Sequence, residues 1–554
     1  MNFIENESAQ KLRGGYYTPP DLAAFLVRWI KEIKPRSILE PSCGDGAFIS
    51  ALAQVGGFKR ATLTGFEVNS EEAAKAIRRA RDTKVQADIK SADFLEWSLG
   101  GLFVRNHANF DAVIGNPPFI RYQYLPPEFQ NRSEQVFATL GLRFTKHTNA
   151  WVPFILASMQ LLRPGGRLAM VVPAEIIHVM HADSLRSYLG QQCSRIVIVD
   201  PEEIWFADTL QGAVLLMAQK KIAPTEPSEG VGIYPVKGRQ FTKLDPADVF
   251  AAPSPINGRT VAGKWTRALL NVSTRELLDG LETRANVRRF SDVASVDVGI
   301  VTGANKFFLV DDATVQRFGL RKWAHPMFGR SEHCPGVIYD ERQHHENERS
   351  GLPTNFIWFN SDQAIKDKNA RAYVELGEEQ NLHTRFKCRV RSPWYVVPSV
   401  YSTEIGMLKR SHHMPRLILN KAGAYTTDTA YRIRSKFSAE TLVASFLNPL
   451  TALSAELEGR HYGGGVLELV PSEIEKLLIP TPSSVSFDLN EIDAKVRTAS
   501  TEELLERHGG KVLGALGIAK SKQAELREAW SLLRHRRHRT STEEEGASPM
   551  RRLP

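Results

Sequence analysis

A chain of 554 residues exceeds the size of one compact domain and predicts two or three. Its 42% apolar and 24% charged residues exclude a disordered or fibrous protein and suffice for a sizeable core. The formal net charge of +9 suits a polyanionic partner, because Lys and Arg that neutralise phosphates gain from counterion release, although many soluble proteins are as basic.

The N-terminal MNFIENESAQ carries two glutamates and no apolar run, so no signal peptide is expected. The longest apolar stretch, around Leu168 to Met180, is too short to span a bilayer and contains a proline and a glutamate. Cys43, Cys193, Cys334 and Cys388 stand at no metal-ligand spacing and are too sparse for a disulfide framework. The expectation is a cytoplasmic protein with neither metal nor membrane anchor.

Along the chain, Pro19 and Pro20 precede a helical pattern over Asp21 to Ile33. SILE (37–40) reads as a strand entering a glycine-bearing turn, and 47–55 as a helix. ATLTGFEV (61–68) reads as strand, 71–81 as helix, FDAVI (110–114) as strand and 151–162 as helix. Strands follow at 167–172, 195–199 and 213–218. Strands alternating with helices predict an α/β fold with a mostly parallel sheet covered on both faces. Between about 222 and 263, Pro, Gly, Ser and Thr become frequent, which places a domain boundary there. The expected organisation is a catalytic domain at 1–245, a linker at 246–270, a mixed α+β domain at 271–488, and a helical segment with a basic, disordered tail at 489–554.

Four motifs carry chemistry. ILEPSCGDGAF (38–48) ends a strand in an acidic residue, and Gly44 and Gly46 let the backbone approach a ligand at a helix N-terminus. In GFEVN (65–69), Glu67 follows a second strand and can accept from ribose hydroxyls. In SADFLEW (91–97), Asp93 can accept from an adenine amine, and Phe94 can lie against its ring. Each of these three is also an ordinary strand end when taken singly. DAVIGNPPF (111–119) is more specific. Two prolines remove two N–H donors and hold the chain extended, so the Asn116 side-chain oxygen and the Pro117 carbonyl can face one NH2 group, with Phe119 stacked on the ring that bears it.

In order and spacing, residues 11–220 resemble the gamma-class, TaqI-type adenine-N6 DNA methyltransferases of restriction–modification systems. The resemblance begins at GGYYTPPDLAAFLV (14–27) and runs through the four motifs. It continues in TNAWVPFILASMQLLRPGGRLAMVVPAE (148–175) and IWFADTLQGAVLLMAQ (204–219). It implies a Rossmann-like class I methyltransferase sheet with helices on both faces, followed by a target-recognition domain. It implies S-adenosylmethionine as cofactor, held by Thr18, Glu40, Ser42, Gly44, Gly46, Glu67, Asp93 and Phe94. Asn116, Pro117, Pro118 and Phe119 would form the catalytic corner, with Phe119 and Phe206 sandwiching a flipped base. Double-stranded DNA would be gripped by candidates Lys306, Arg385, Lys387, Arg389, Arg391 and Lys421. A monomer in the bacterial cytoplasm, close to the nucleoid, is implied, with any cognate endonuclease on a separate chain. Other readings are N4-cytosine methylation, methylation of release-factor glutamine or ribosomal RNA, and a DNA-binding protein that has lost catalysis.

Overall fold

The computed structural model describes residues 18–102, 110–203, 205, 212–256, 263–462, 464–482 and 486–538. Phe206 lies outside them. The chain divides into two compact units, Met1–Val272 with Arg539–Pro554, and Ser273–His538.

The first unit is built on an eight-stranded sheet. Its strands are β1 (Ser37–Glu40), β2 (Thr62–Phe66), β3 (Ala87–Lys90), β4 (Phe110–Gly115), β5 (Leu162–Pro173), β6 (Cys193–Pro201), β7 (Ala213–Lys220) and β8 (Gly230–Val236). They lie in the order β3-β2-β1-β4-β5-β7-β6-β8, and β7 alone runs antiparallel to its neighbours β5 and β6. This is the Rossmann-like class I methyltransferase arrangement. Both faces are apolar, and strand alternation divides the core in two. Leu168, Met170 and Val172 point to one core; Ala169 and Val171 point to the other. The helices covering the second face are α1 (Pro20–Lys31), α2 (Ala47–Val55) and α3 (Ser70–Thr83). Those covering the first are α4 (Phe94–Leu102), α5 (Pro127–Thr139), α6 (Trp151–Leu161) and α7 (Asp183–Gln192).

β8 falls in the stretch whose composition predicts a boundary. Its Gly232 and Pro235 hide the strand pattern, yet β8 forms the edge of this sheet beside β6. A proline, lacking an N–H, is tolerated on such an edge. Residues 246–256 and 263–270 also pack into the first unit: Trp265 is fully buried in the first core and Val249 in the second.

The second unit holds a five-stranded sheet. Its strands are β9 (Ala294–Val298), β10 (Ile338–Tyr339), β11 (Ile405–Leu408), β12 (Leu417–Asn420) and β13 (Ala430–Ser435), in the order β9-β13-β11-β12-β10. The unit also contains the helices α8 (Phe386–Arg389) and α9 (Pro449–Glu458), and closes on α10 (Leu489–Thr498), α11 (Thr501–Gly514) and α12 (Lys520–Arg537). The basic run that reads as a tail is corrected here, because residues 534–537 belong to α12. Arg537 is fully buried, donating to Glu456 on α9 from Nη2 at 2.7 Å and Nε at 3.0 Å. An isolated basic run looks solvated; one buried carboxylate on another helix turns it inward.

Removing one partner of a buried pair leaves an uncompensated charge, at a cost of roughly 3–5 kcal/mol. Arg537→Ala is therefore expected to destabilise the second unit by about that much, read as a denaturant midpoint below the parent's. Equal midpoints would show that α12 is not anchored by this pair.

Candidate active site

The chain order of the strands reverses between β1 and β4, and a crevice outside the carboxyl ends of strands forms at such a switch point. Both loops that leave these strands carry motif residues. β1 ends on Glu40 and β4 on Gly115. A Cβ at Gly115 would lie 3.3 Å from Pro41 Cδ, so glycine is what lets the two strand ends approach. Ser42 Oγ then donates to the Asn116 carbonyl at 3.0 Å. Asn116 Nδ2 donates to Thr18 Oγ1 at 3.3 Å, which ties its amide to the segment ahead of α1. Three segments distant in sequence, ahead of α1 and after β1 and β4, are thus joined at one corner.

The glycine-bearing loop is folded by backbone bonds. The Cys43 N–H donates to the Phe66 carbonyl at 2.8 Å, and the Gly46 N–H to the Cys43 carbonyl at 2.8 Å. Gly44 and Gly46 take φ of +51° and +90°, a region open mainly to glycine. A Cβ at Gly44 would meet nothing within 4 Å, whereas one at Gly46 would press on Ile49 and Ala76. The loop therefore has an open side at Gly44 and a packed side at Gly46. No side chain caps the N-terminus of α2.

Glu40 is 1% exposed, and its Oε2 has no hydrogen-bond partner. Burial, and then the charges of Asp45 and Glu67, push its carboxyl well above the ordinary range. Glu67 is raised as well, by burial, although it accepts from the Asn69 N–H at 2.9 Å and the Gly44 N–H at 3.0 Å. A buried acidic set with an unsatisfied oxygen suits a ligand that carries positive charge, as S-adenosylmethionine does at its ammonium and sulfonium. Cys43 lies among these carboxylates; burial, then Glu40 and Glu67, push its thiol far up, which favours the protonated form over the thiolate.

Asp93 precedes α4, accepts from the Glu96 N–H at 3.0 Å and pairs with Arg132 at 2.9 Å. The expectation for the Phe94 ring is corrected. It is 2% exposed, packed against Phe66 and Phe154, and faces the core rather than a ligand. As the first residue of α4, Phe94 has a backbone N–H without an intrahelical acceptor, and that is what it can present. Val68, beside Glu67, is 75% exposed, an apolar side chain immediately after an acidic strand end that sequence reasoning did not single out.

Phe119 is half-buried between the two cores. Behind it lies a relay that no motif revealed. Glu175 Oε1, after β5, accepts from Asn149 Nδ2 at 2.8 Å and Trp151 Nε1 at 3.2 Å. Asn149 Oδ1 in turn accepts from the Tyr122 N–H at 3.3 Å, and the Ala150 N–H donates to the Ile120 carbonyl at 2.9 Å. The loop after Phe119 is pinned through Asn149 to a carboxylate two strands away from Glu40.

In the second unit, Lys306, Arg385, Lys387 and Arg389 are exposed. Arg391 instead donates to the carbonyls of Thr302 at 2.7 Å and Val301 at 2.6 Å. Lys421 pairs with Glu440 at 3.6 Å.

The fold and this crevice define an S-adenosylmethionine-dependent methyltransferase. Residues 2–239 match the family N-6 DNA Methylase, and residues 262–513 match the C-terminal domain of the Type II methyltransferase M.Eco57I. Type II methyltransferase M.AccI of Acinetobacter calcoaceticus is 22% identical over 83% of this chain and 84% of its own length. M.XamI of Xanthomonas campestris pv. amaranthicola is 23% identical over 84% and 85%. Among solved structures, the type IIG restriction endonuclease BpuSI covers 95% of this chain and 67% of its own, at 12% identity and a TM-score of 0.42. The chain is thus similar, over most of its length, to type II DNA methyltransferases, and over its first unit to N-6 DNA methylases.

Two outcomes are expected at this site. A cation bound beside Glu40 favours the ionised carboxylate, so binding below its raised pKa must expel a proton. Cofactor affinity should fall as pH is lowered. Calorimetry in buffers of different ionisation enthalpy should detect proton release that Glu40→Gln abolishes; buffer-independent heats from the parent would contradict this. Glu175→Leu should lower kcat by roughly 10–100-fold while leaving cofactor affinity unchanged, because it frees the Phe119 loop and not the cofactor crevice. Glu175→Gln, which keeps an acceptor, should restore most of it. Equal loss in both variants would sink the relay.

Proposed function

We propose that this protein transfers the methyl group of S-adenosylmethionine to the N6 amino group of adenine in double-stranded DNA, as the modification enzyme of a restriction–modification system. The observation that carries the reading is the Asn116–Phe119 corner, joined by Ser42 and Thr18 to the rim of the acidic crevice.

Glu40, with Ser42, Gly44 and Gly46, would hold the methionine and ribose side of the cofactor, and Thr18 would border it. Glu67 would take the ribose hydroxyls on the lone pairs that Gly44 and Asn69 leave. Asp93 and the Phe94 N–H would bind the adenine edge, and Val68 would cover its face. When bound, the cofactor supplies an electrophilic methyl on a sulfonium.

The adenine N6 lone pair is delocalised into its ring and is a weak nucleophile. Its two N–H groups would donate to Asn116 Oδ1 and the Pro117 carbonyl, drawing the nitrogen towards tetrahedral geometry. Positive charge grows on this nitrogen during transfer, so both bonds strengthen in the transition state. Pro118 keeps the corner extended, and Phe119 would stack on the base. A duplex hides N6, so the base must leave the stack at a cost of a few kcal/mol. Phe119, and Phe206 by the family resemblance, would offset part of that. The second unit would read and grip the duplex. We further propose that the enzyme acts as a monomer in the bacterial cytoplasm, on nucleoid DNA, with any cognate endonuclease a separate chain.

Single-molecule sequencing of DNA from cells expressing the protein should report N6-methyladenine in one sequence context, and Asn116→Ala should abolish it with cofactor binding retained. N4-methylcytosine in its place, or the same map from both proteins, would overturn the assignment.

A further inference from the structure

The second unit presents a corner that its own packing does not explain. In the segment Arg385–Arg391, Phe386 is 65% exposed and Val390 68%. Between and beside them, Arg385, Lys387 and Arg389 are exposed. The Lys387 ammonium and Arg389 guanidinium lie 5.6 Å and 5.4 Å from the Phe386 ring centroid. Among the described residues, none of these three cations, nor Lys306, has a carboxylate partner. Other cations of this unit are paired, among them Lys409 and Arg410 with Glu468, and Lys421 with Glu440.

The exposure does not come from a loose segment. Cys388, at the middle of α8, is fully buried, with its Sγ 3.9 Å from the Thr302 carbonyl. Arg391 fastens the end of the segment to the carbonyls of Val301 and Thr302. A Cβ on Gly303 would lie 2.7 Å from Lys387 Cβ, so the loop beneath is pressed directly against the helix. The corner is braced from below while its aromatic tip is held in water. Large exposed apolar groups rimmed by charge mark interaction sites, and unpaired cations around an aromatic select a polyanion with flat, apolar components.

We propose that the α8 corner docks on duplex DNA, with Arg385, Lys387 and Arg389 on phosphates and Phe386 and Val390 pressed against sugars or base edges in the groove. This rests on the reading of DNA as substrate. It adds which surface of the second unit carries affinity, and it gives the apolar pair a part that cations alone cannot play. Phosphate contacts set the salt dependence of binding, whereas a ring packed against base or sugar adds affinity that salt does not screen.

The test is fluorescence anisotropy with the full chain and a labelled duplex across a series of salt concentrations. Replacing Arg385, Lys387 and Arg389 together by Gln should reduce the slope of log Kobs against log salt by between about two and three, at roughly 0.9 per lost phosphate contact. Phe386→Ala should weaken binding roughly tenfold with the slope unchanged, and Phe386→Leu should weaken it less. Cofactor affinity and melting temperature should match the parent in each case. A triple variant with the parental slope, or a Phe386→Ala protein with parental affinity, overturns the proposal. So does parental protein that binds anionic phospholipid vesicles through these residues and duplex DNA without them. The chemistry is judged separately: loss of methylation in Asn116→Ala with binding intact leaves the corner standing, while normal methylation by a triple variant with unaltered binding removes the corner alone.

Discussion

The hydrogen bond from Ser42 to the Asn116 carbonyl, and the close approach of Gly115 to Pro41 beneath it, hold two loops at one point. One loop borders a buried acidic crevice; the other ends in a double proline and an aromatic. Transfer between two bound molecules requires their reacting atoms to be held in line about 3–3.5 Å apart, and neither loop could ensure this alone. The sheet makes the meeting possible because β1 and β4 are neighbours. Thr18 adds a third segment to the same corner.

Charge is distributed in keeping with that geometry. Glu40 is left buried with an unsatisfied oxygen, an expensive state for a carboxylate unless a cation arrives. Glu67 is partly compensated by two backbone N–H groups, which fix its orientation. Glu175 orders Asn149 and Trp151, and through Asn149 the loop that follows Phe119. The crevice is therefore electrostatically primed, while the loop after Phe119 is braced mechanically.

The second unit uses its basic residues in two ways. Arg537, Arg391 and Arg416 are spent on structure, on a buried carboxylate or on backbone carbonyls. Lys306 and the cations of α8 are left facing water. Sequence cannot separate these groups, since each is an arginine or lysine among others. The partner that decides lies far along the chain: Glu456 for Arg537, Thr302 for Arg391 and Cys334 for Arg416.

Sequence alone determined the alternation of strands and helices in the first unit, the apolar character of both sheet faces, and the glycines and prolines of the two loops. These follow from local periodicity and from backbone restrictions that each residue carries with it. Glu40, Glu67, Asn116 and Phe119 could be singled out as candidates for the same reason, because a strand end or a double proline marks them. The ring of Phe94 was misread, since whether an aromatic faces ligand or core depends on the helices packed over it, here α4 and α6. Edge strand β8, the inward turn of the basic C-terminal run and the Glu175 relay were decided only in the tertiary structure. Each depends on a contact between residues distant in sequence, and such contacts leave no period or spacing in the chain to be read.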